Sequence, residues 1–459
     1  PMGDLFSESY LKRYSDGALR CSCGREHRLG TRRILLGEGV NGEIADLLAE
    51  RYGTGTRVWV LSDENTEKAA GAACKGHLSR FRVSETVLPA RPRARTTPDI
   101  IRILSGGEDA RSADLVLSVG GGTVSDIGKM VSHILEVPNW CVATAPSVDA
   151  YSSGTSALKL KDGHRTERAR PSELIFADLA VLQRAPEILF LSGVGDLLAK
   201  YLSYLDWKLS ALITGEFICE ETARLCLESA REALEAVRTL EGDRRAAVRS
   251  LTDAILLSGL AMQAVAASRP ASSAEHTISH FWEIAGFVGE EARDLHGLLV
   301  GLSCFVLLPG YRAFYEELPA LQIDPAERAG RLATEPDWER TLVPEMDRFR
   351  PQIEKEMGQR RAHPPAYDSR LQGIKEHQES IAGLAVPILS ELDRSVTVLQ
   401  SRGFPFRLAD YKLGPEQAIL PARWVRSLRN RYSSFDLIHE VGDEDRVMEV
   451  LERRVAEIS

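Results

Sequence analysis

The chain has 459 residues, room for two or three domains at ~150 residues each. Its 44% apolar and 27% charged content excludes wholesale disorder, collagen-like sequence and a small disulfide scaffold. With 57 basic against 66 acidic residues the net charge is −9, which argues against broad nucleic-acid binding.

The first motif along the chain is CSCGREH, with Cys21, Cys23 and His27. These are zinc-ligand types, but no fourth ligand stands at a recognisable spacing, so a structural loop or strand is the expectation. Seven cysteines, an odd number in a long chain, suit a reducing compartment. Short β-rich runs follow at Arg33–Leu36, Val58–Leu61, Asp114–Val119, Cys141–Thr144 and Leu174–Asp178. Helical stretches such as Glu64–Leu78 and Asp126–Ile134 separate several of them. This alternation predicts an α/β domain with a parallel sheet over residues 1–185.

Two features of that half suggest a nucleotide. VLSVGGGTVSD runs from an apolar strand through Gly120–Gly122 into a helix start. Glycines let backbone N–H groups approach an anion there, as a dinucleotide diphosphate requires. The spacing is not GxGxxG, and a plain tight turn is the competing reading. Asp63, in VWVLSDENT, follows a buried strand. It can accept from a ribose diol and repel a 2′-phosphate, favouring NADH over NADPH. It can equally serve as a helix N-cap.

After Pro186 the periodicity turns helical, predicting an all-helical second domain over 186–459. GVGDLLAK places Asp196 and Lys200 on one helix face, and EHTISH does the same for His276 and His280. His296 follows in LHG. Asp, His and His can hold a divalent ion with positions left open for substrate. The alternatives are an Asp196–Lys200 salt bridge and ordinary core or surface histidines. The longest apolar run, Gly297–Pro309, is expected as a buried helix, and no segment reaches the ~18–20 apolar residues of a bilayer span. The charged stretch from about Pro319 to Pro365 is expected as solvated helices and loops. No basic n-region and apolar h-region open the chain, so a cytoplasmic protein with no membrane association is expected.

Together these motifs resemble the bacterial branch of the glycerol-1-phosphate dehydrogenases, within the group of iron-containing alcohol dehydrogenases and dehydroquinate synthases. CSCGREH, VLSDENT, GVGDLLAKYLSYLDWKLS and SRPASSAEHTISHFWE carry the resemblance over residues 20–310, and RNRYSSFDLIHEVG resumes it at Arg429–Gly442. It implies a Rossmann-like α/β N-terminal domain and an all-α C-terminal domain of the dehydroquinate synthase-like kind. It implies NAD(H), with NADP(H) as the alternative, and one divalent ion: zinc, nickel or iron. It also implies a homodimer.

Residue by residue, the resemblance assigns the nucleotide to Asp63, Gly121, Gly122, Thr123, Asp126, Thr144, Ser147 and Ser153. The metal goes to Asp196, His276 and His296, and the substrate to Asp149 and His280, with Lys200 in support. The implied reaction is reversible reduction of dihydroxyacetone phosphate, or a related phosphorylated ketone, to sn-glycerol 1-phosphate. Lys161, His164 and Arg165 in KLKDGHRT are candidates for the substrate phosphate. The chain departs from the family's pattern at Ser272–Ser273–Ala274, where a glycine-containing run is usual, and in the length of the 310–400 stretch.

Two other readings stay open: a sugar phosphate cyclase resembling dehydroquinate synthase, and a noncatalytic homologue. PSVDAYSS and EHTISHFWE favour the reductase over the cyclase, and the complete Asp196–His276–His296 set argues against a noncatalytic protein.

Overall fold

A computed structural model describes residues 6–13, 18–91, 93–160, 163–293, 295–334, 342–362 and 366–459. Ten strands occur among them: β1 Ala18–Arg20, β2 Glu26–Arg28, β3 Arg33–Gly37, β4 Arg57–Asp63, β5 Arg82–Leu88, β6 Leu115–Gly120, β7 Asn139–Ala143, β8 Thr155–Lys159, β9 His164–Arg168 and β10 Leu174–Asp178. Six form one sheet in the order β3-β10-β7-β6-β4-β5, every neighbouring pair parallel. All five runs expected as strands lie in this sheet.

The central strands are covered on both faces, which is why they read as unbroken apolar runs. One face packs Val58, Val60, Leu117, Trp140 and Phe176 against Ile44 and Leu48. The other packs Trp59, Leu61 and Val116 against Val124, Ile127 and Val131 of the helix Gly122–Leu135. Those three recur at helical spacing, and each is fully removed from water, worth ~1.5–3 kcal/mol apiece. β5 escaped the sequence reading because it is a largely exposed edge strand in which Arg82, Ser84, Glu85 and Thr86 break up any apolar run.

Packing divides the chain into two compact units, each made of several segments. The first holds residues 1–160, 164–197 and 219–270, so the helices Glu220–Thr239 and Arg244–Val265 pack with the sheet's half of the chain. The second holds 161–163, 198–218 and 271–459. Secondary structure changes character near residue 185, but a helical segment can pack with an α/β unit, and 219–270 does so here. Among the described residues no strand follows Asp178.

The second unit is helical. His296–Glu317 packs beside Ala274–Ala285, Gln378–Ser401 and Glu444–Glu457. Its apolar run is buried, as expected. Two helical stretches, Glu187–Thr214 and His296–Ala320, nonetheless reach the length and hydropathy of a membrane span, contrary to the expectation that none would. Helix length and mean hydropathy admit runs interrupted by small and polar residues, and 83% of each span-like window is buried within the protein. The charged stretch 319–365 is also less solvated than its charge suggests. Met346, Phe349 and Ile353 enter the core, and Arg360 turns inward to the buried carboxylate of Asp436 (2.7 Å); just beyond it Leu371 and Ile374 are buried too, and Arg370 meets Glu440 (2.8 Å).

Candidate active site

In the first unit the sheet reverses its winding between β4 and β6, and ligands of open α/β sheets bind beyond the carboxyl ends of strands at such a point. The register pairs Leu61 with Ser118, so Asp63 at the end of β4 lies level with Gly120 at the end of β6. Ala143 of β7 pairs with Gly120 on the other side, and Thr144 N donates to Gly120 O at 3.3 Å. Asp63, the glycine turn and Thr144 therefore share one edge of the sheet.

Asp63 is a helix N-cap: its Oδ1 accepts from the N–H groups of Asn65 and Thr66, both at 2.9 Å, while Thr66 Oγ1 accepts from Asp63 N. The glycine turn has packing reasons as well. A Cβ at Gly120 would meet Val124, and one at Gly122 would meet Val148. At Gly121 it would come 3.9 Å from Arg93 Nη2, a cation that the sequence reading missed.

Asp126 and Ser153 face a buried lysine, also missed. Lys129 is 0% exposed, and its ammonium contacts Asp126 Oδ1 (2.8 Å), Ala150 O (2.7 Å), Ser153 Oγ (3.0 Å) and Thr155 O (2.6 Å). It ties the glycine-turn helix to the turn Asp149–Ser152. That turn is fixed from two further sides. Asp149 N donates to Asp196 Oδ2 (3.0 Å), and Ser258 Oγ donates to Asp149 Oδ2 (2.8 Å). Gly259 has no side chain where a Cβ would strike Asp149 O and Ser152, and Gly193 likewise clears Pro146 O. Ser147 is buried, and its carbonyl accepts from Ser192 Oγ at 3.3 Å.

In the second unit three histidine rings gather. His276 and His296 have centroids 5.3 Å apart, His280 and His296 stack at 4.9 Å, and His276 and His280 lie 6.1 Å apart. His276 and His280 share a face of Ala274–Ala285, and His296 opens the next long helix. Glu275, fully buried, sits 2.8 Å from His276 Nδ1 and also accepts from Ser273 N. A carboxylate on Nδ1 keeps the proton there and leaves Nε2 as the ligand atom, as in metal-bound histidines. His280, Glu283 and His296 bring one ligand atom each within 4.8 Å of one another. Lys200 Nζ donates to Ala271 O at 3.2 Å. Arg429 and Arg431, also missed, both reach Ser272, four residues ahead of His276. They open the RNRYSSFDLIHEVG motif that carries the resemblance, but only the fold brings that segment to this helix.

Of the phosphate candidates, Lys161 and the side chain of His164 lie outside the described residues. Arg165 is exposed and paired with Glu167. Asp196 belongs to the first compact unit, and His276, His280 and His296 belong to the second.

A family model of iron-containing alcohol dehydrogenases matches residues 35–186. A glycerol-1-phosphate dehydrogenase [NAD(P)+] of Bacillus licheniformis is 32% identical over 318 residues, covering 68% of this chain and 77% of that one. The chain belongs to the glycerol-1-phosphate dehydrogenase family. Its members of the same name include one from Metallosphaera sedula, 36% identical over 192 residues, covering 42% of this chain and 54% of that one. Among solved structures, a maleylacetate reductase from Agrobacterium tumefaciens shares the fold at a TM-score of 0.58 and 16% identity, covering 93% of this chain and 97% of that one. An iron-containing alcohol dehydrogenase from Thermotoga maritima does so at 0.56 and 13%, covering 94% and 99%. As a member of this family the chain is an oxidoreductase.

Proposed function

We propose that the chain catalyses the reversible, NADH-dependent reduction of dihydroxyacetone phosphate, or a closely related phosphorylated ketone, to sn-glycerol 1-phosphate. The observation that carries this is the histidine trio, with Glu275 holding the Nδ1 proton of His276. The curated relatives named for this reaction support it.

In this reading Asp63 accepts from the ribose diol through the oxygen not used for capping. Gly121, Gly122 and Thr123 offer backbone N–H groups to the diphosphate, with Arg93 adding positive charge and Thr144 and Ser147 lining the edge. Asp126 and Ser153 act through Lys129, fixing the turn that presents Asp149. Asp196, His276 and His296 fit one divalent ion: a buried carboxylate and two imidazoles, one already oriented by a carboxylate, are a donor set for zinc, nickel or iron. When bound, the ion supplies Lewis-acid polarisation of the C2 carbonyl and the nicotinamide supplies hydride. His280 delivers a proton to the C2 oxygen, and Asp149 accepts a hydrogen bond from a substrate hydroxyl. Arg429 and Arg431 give an acidic protein the local positive charge that a phosphorylated substrate needs.

The test is NADH oxidation over a panel of ketone phosphates with defined metals, with the stereochemistry of the alcohol determined. Dihydroxyacetone phosphate should be turned over to the sn-1 product, and His276→Ala should lose metal and activity together. Absence of net NADH consumption across the panel would refute the reading and favour a cyclase.

A further inference from the structure

The first unit holds a second set of metal-ligand side chains. The hairpin β1–β2 pairs Leu19 with His27 and carries Cys21 and Cys23 in its turn. The turn is tight: Cys21 N donates to Arg25 O (3.0 Å) and Gly24 N to Cys21 O (3.1 Å). Gly24 has φ +81°, which glycine adopts without a steric penalty. Two strands of three residues each do not hold themselves together in water. Something outside the hairpin must fix it.

The ligand that the sequence could not supply is Cys219. It is fully buried and immediately precedes the helix Glu220–Thr239, 192 residues beyond His27. Its Sγ lies 3.7 Å from Cys21 Sγ and 3.4 Å from His27 Nε2, and Cys23 Sγ lies 3.2 Å from His27 Nε2. All four ligand atoms fall within 4.8 Å of one another. A tetrahedral ion with Zn–S bonds of ~2.3 Å and Zn–N bonds of ~2.0–2.1 Å spaces its ligands at about 3.8 Å for S···S and about 3.5 Å for S···N. The observed separations follow that pattern. Thiols are weak hydrogen-bonding groups, so hydrogen bonding gives little reason to collect three of them from distant segments around one imidazole. The cysteines are all free of disulfides.

We propose that Cys21, Cys23, His27 and Cys219 bind one zinc ion. Four protein ligands close the coordination sphere, so the ion is structural: it clamps the hairpin onto the start of the helix Glu220–Thr239 and takes no part in turnover. The site is separate from Asp196, His276 and His296, and its existence does not depend on the proposed reaction.

The test is metal content of the purified full-length chain by mass spectrometry, for the wild type, Cys23→Ser, Cys219→Ser and the His276→Ala/His296→Ala pair. The expected result is a loss of about one equivalent of zinc in each cysteine variant and its retention in the histidine pair. Cobalt substitution of the wild type should give a thiolate-to-cobalt charge-transfer band that persists in the histidine pair and is absent in Cys23→Ser. If a cysteine variant fails to fold, titrating wild-type thiols with an organomercurial should release the same equivalent to a chromogenic chelator. The proposal is overturned if zinc in the wild type depends only on the histidines, if no charge-transfer band forms, or if Cys21 and Cys219 are recovered as a disulfide from protein prepared with zinc.

Discussion

Replacing Lys129 by methionine removes one ammonium group from a site sealed off from water. The side chain is 0% exposed and Asp126 is 7% exposed, so solvent can do little to repair the loss. Four acceptors lose their donor, but not equally. Ala150 O keeps the Ser153 N–H at 3.3 Å, and Thr155 O can take the single Ser153 Oγ proton at 3.0 Å. The Asp126 carboxylate keeps only Ala157 N, on its other oxygen, among the bonds described here. The cost is therefore concentrated on one stranded buried charge, for which about 3–5 kcal/mol is expected. At ~1.4 kcal/mol per decade this is between two and four orders of magnitude in the folding equilibrium of the first unit. Urea denaturation followed by tryptophan fluorescence measures it, since Trp59 and Trp140 lie within the sheet. The double variant Lys129→Met/Asp126→Asn should recover roughly half of the loss, because the stranded charge is gone. A loss below about 1 kcal/mol in Lys129→Met, or no recovery in the double variant, would refute the reasoning.

Glu275→Gln should weaken metal binding by about 10–100-fold while leaving the fold intact, read as the free-metal concentration that restores half activity. An unchanged metal requirement would remove Glu275 from the site. Gly259→Ala should destabilise the protein by about 1–3 kcal/mol, because the methyl group strikes Asp149 O and Ser152, and should raise KM as Asp149 shifts. Wild-type stability and KM would show that the turn yields freely. Burial pushes the Asp206 carboxyl up to about 6 from an ordinary 3.8, with Ser273, Ser434 and then Glu275 modifying that effect. The folded state thus holds this proton more tightly than the unfolded chain. Its contribution is fully present below about pH 4 and is lost as pH rises through about 6, a change of about 3 kcal/mol. The stability difference between wild type and Asp206→Asn should therefore vary across that window; parallel profiles would count against it.

The sheet was legible because buried parallel strands are apolar along their whole length, and β4, β6, β7 and β10 announce themselves that way. β5 did not, since RVSETVL interleaves polar and apolar residues along an exposed edge. The glycine turn, Asp63 and the EHTISH helix were legible as local spacings. The roles of Lys129, Arg93, Arg429 and Arg431 were not, because a charged residue reads the same in sequence whether it faces water or a buried partner. Asp63 shows the same ambiguity from the other direction: its capping role is visible in the sequence and is what its Oδ1 performs. Cys219 marks the limit of motif reading. Its partner motif lies nearly two hundred residues away, and only the fold joins them.

The segmented make-up of the first unit also sets a schedule for biosynthesis. Gln263 accepts from Thr31 N and donates to Thr31 Oγ1 and Ser152 O, so the strand entering the sheet at Arg33 waits for a residue made far later. At ~5–20 residues per second, the roughly 90 residues between the last strand and that helix's end take several seconds to emerge from the ribosome. Throughout that interval both faces of the sheet already have their helices, but Thr31 and the turn at Ser152 lack the Gln263 bonds that join them. A fragment that stops near residue 186 would be held permanently at that stage, with the chain at Thr31 and the turn Asp149–Ser152 fixed less firmly than in the whole protein.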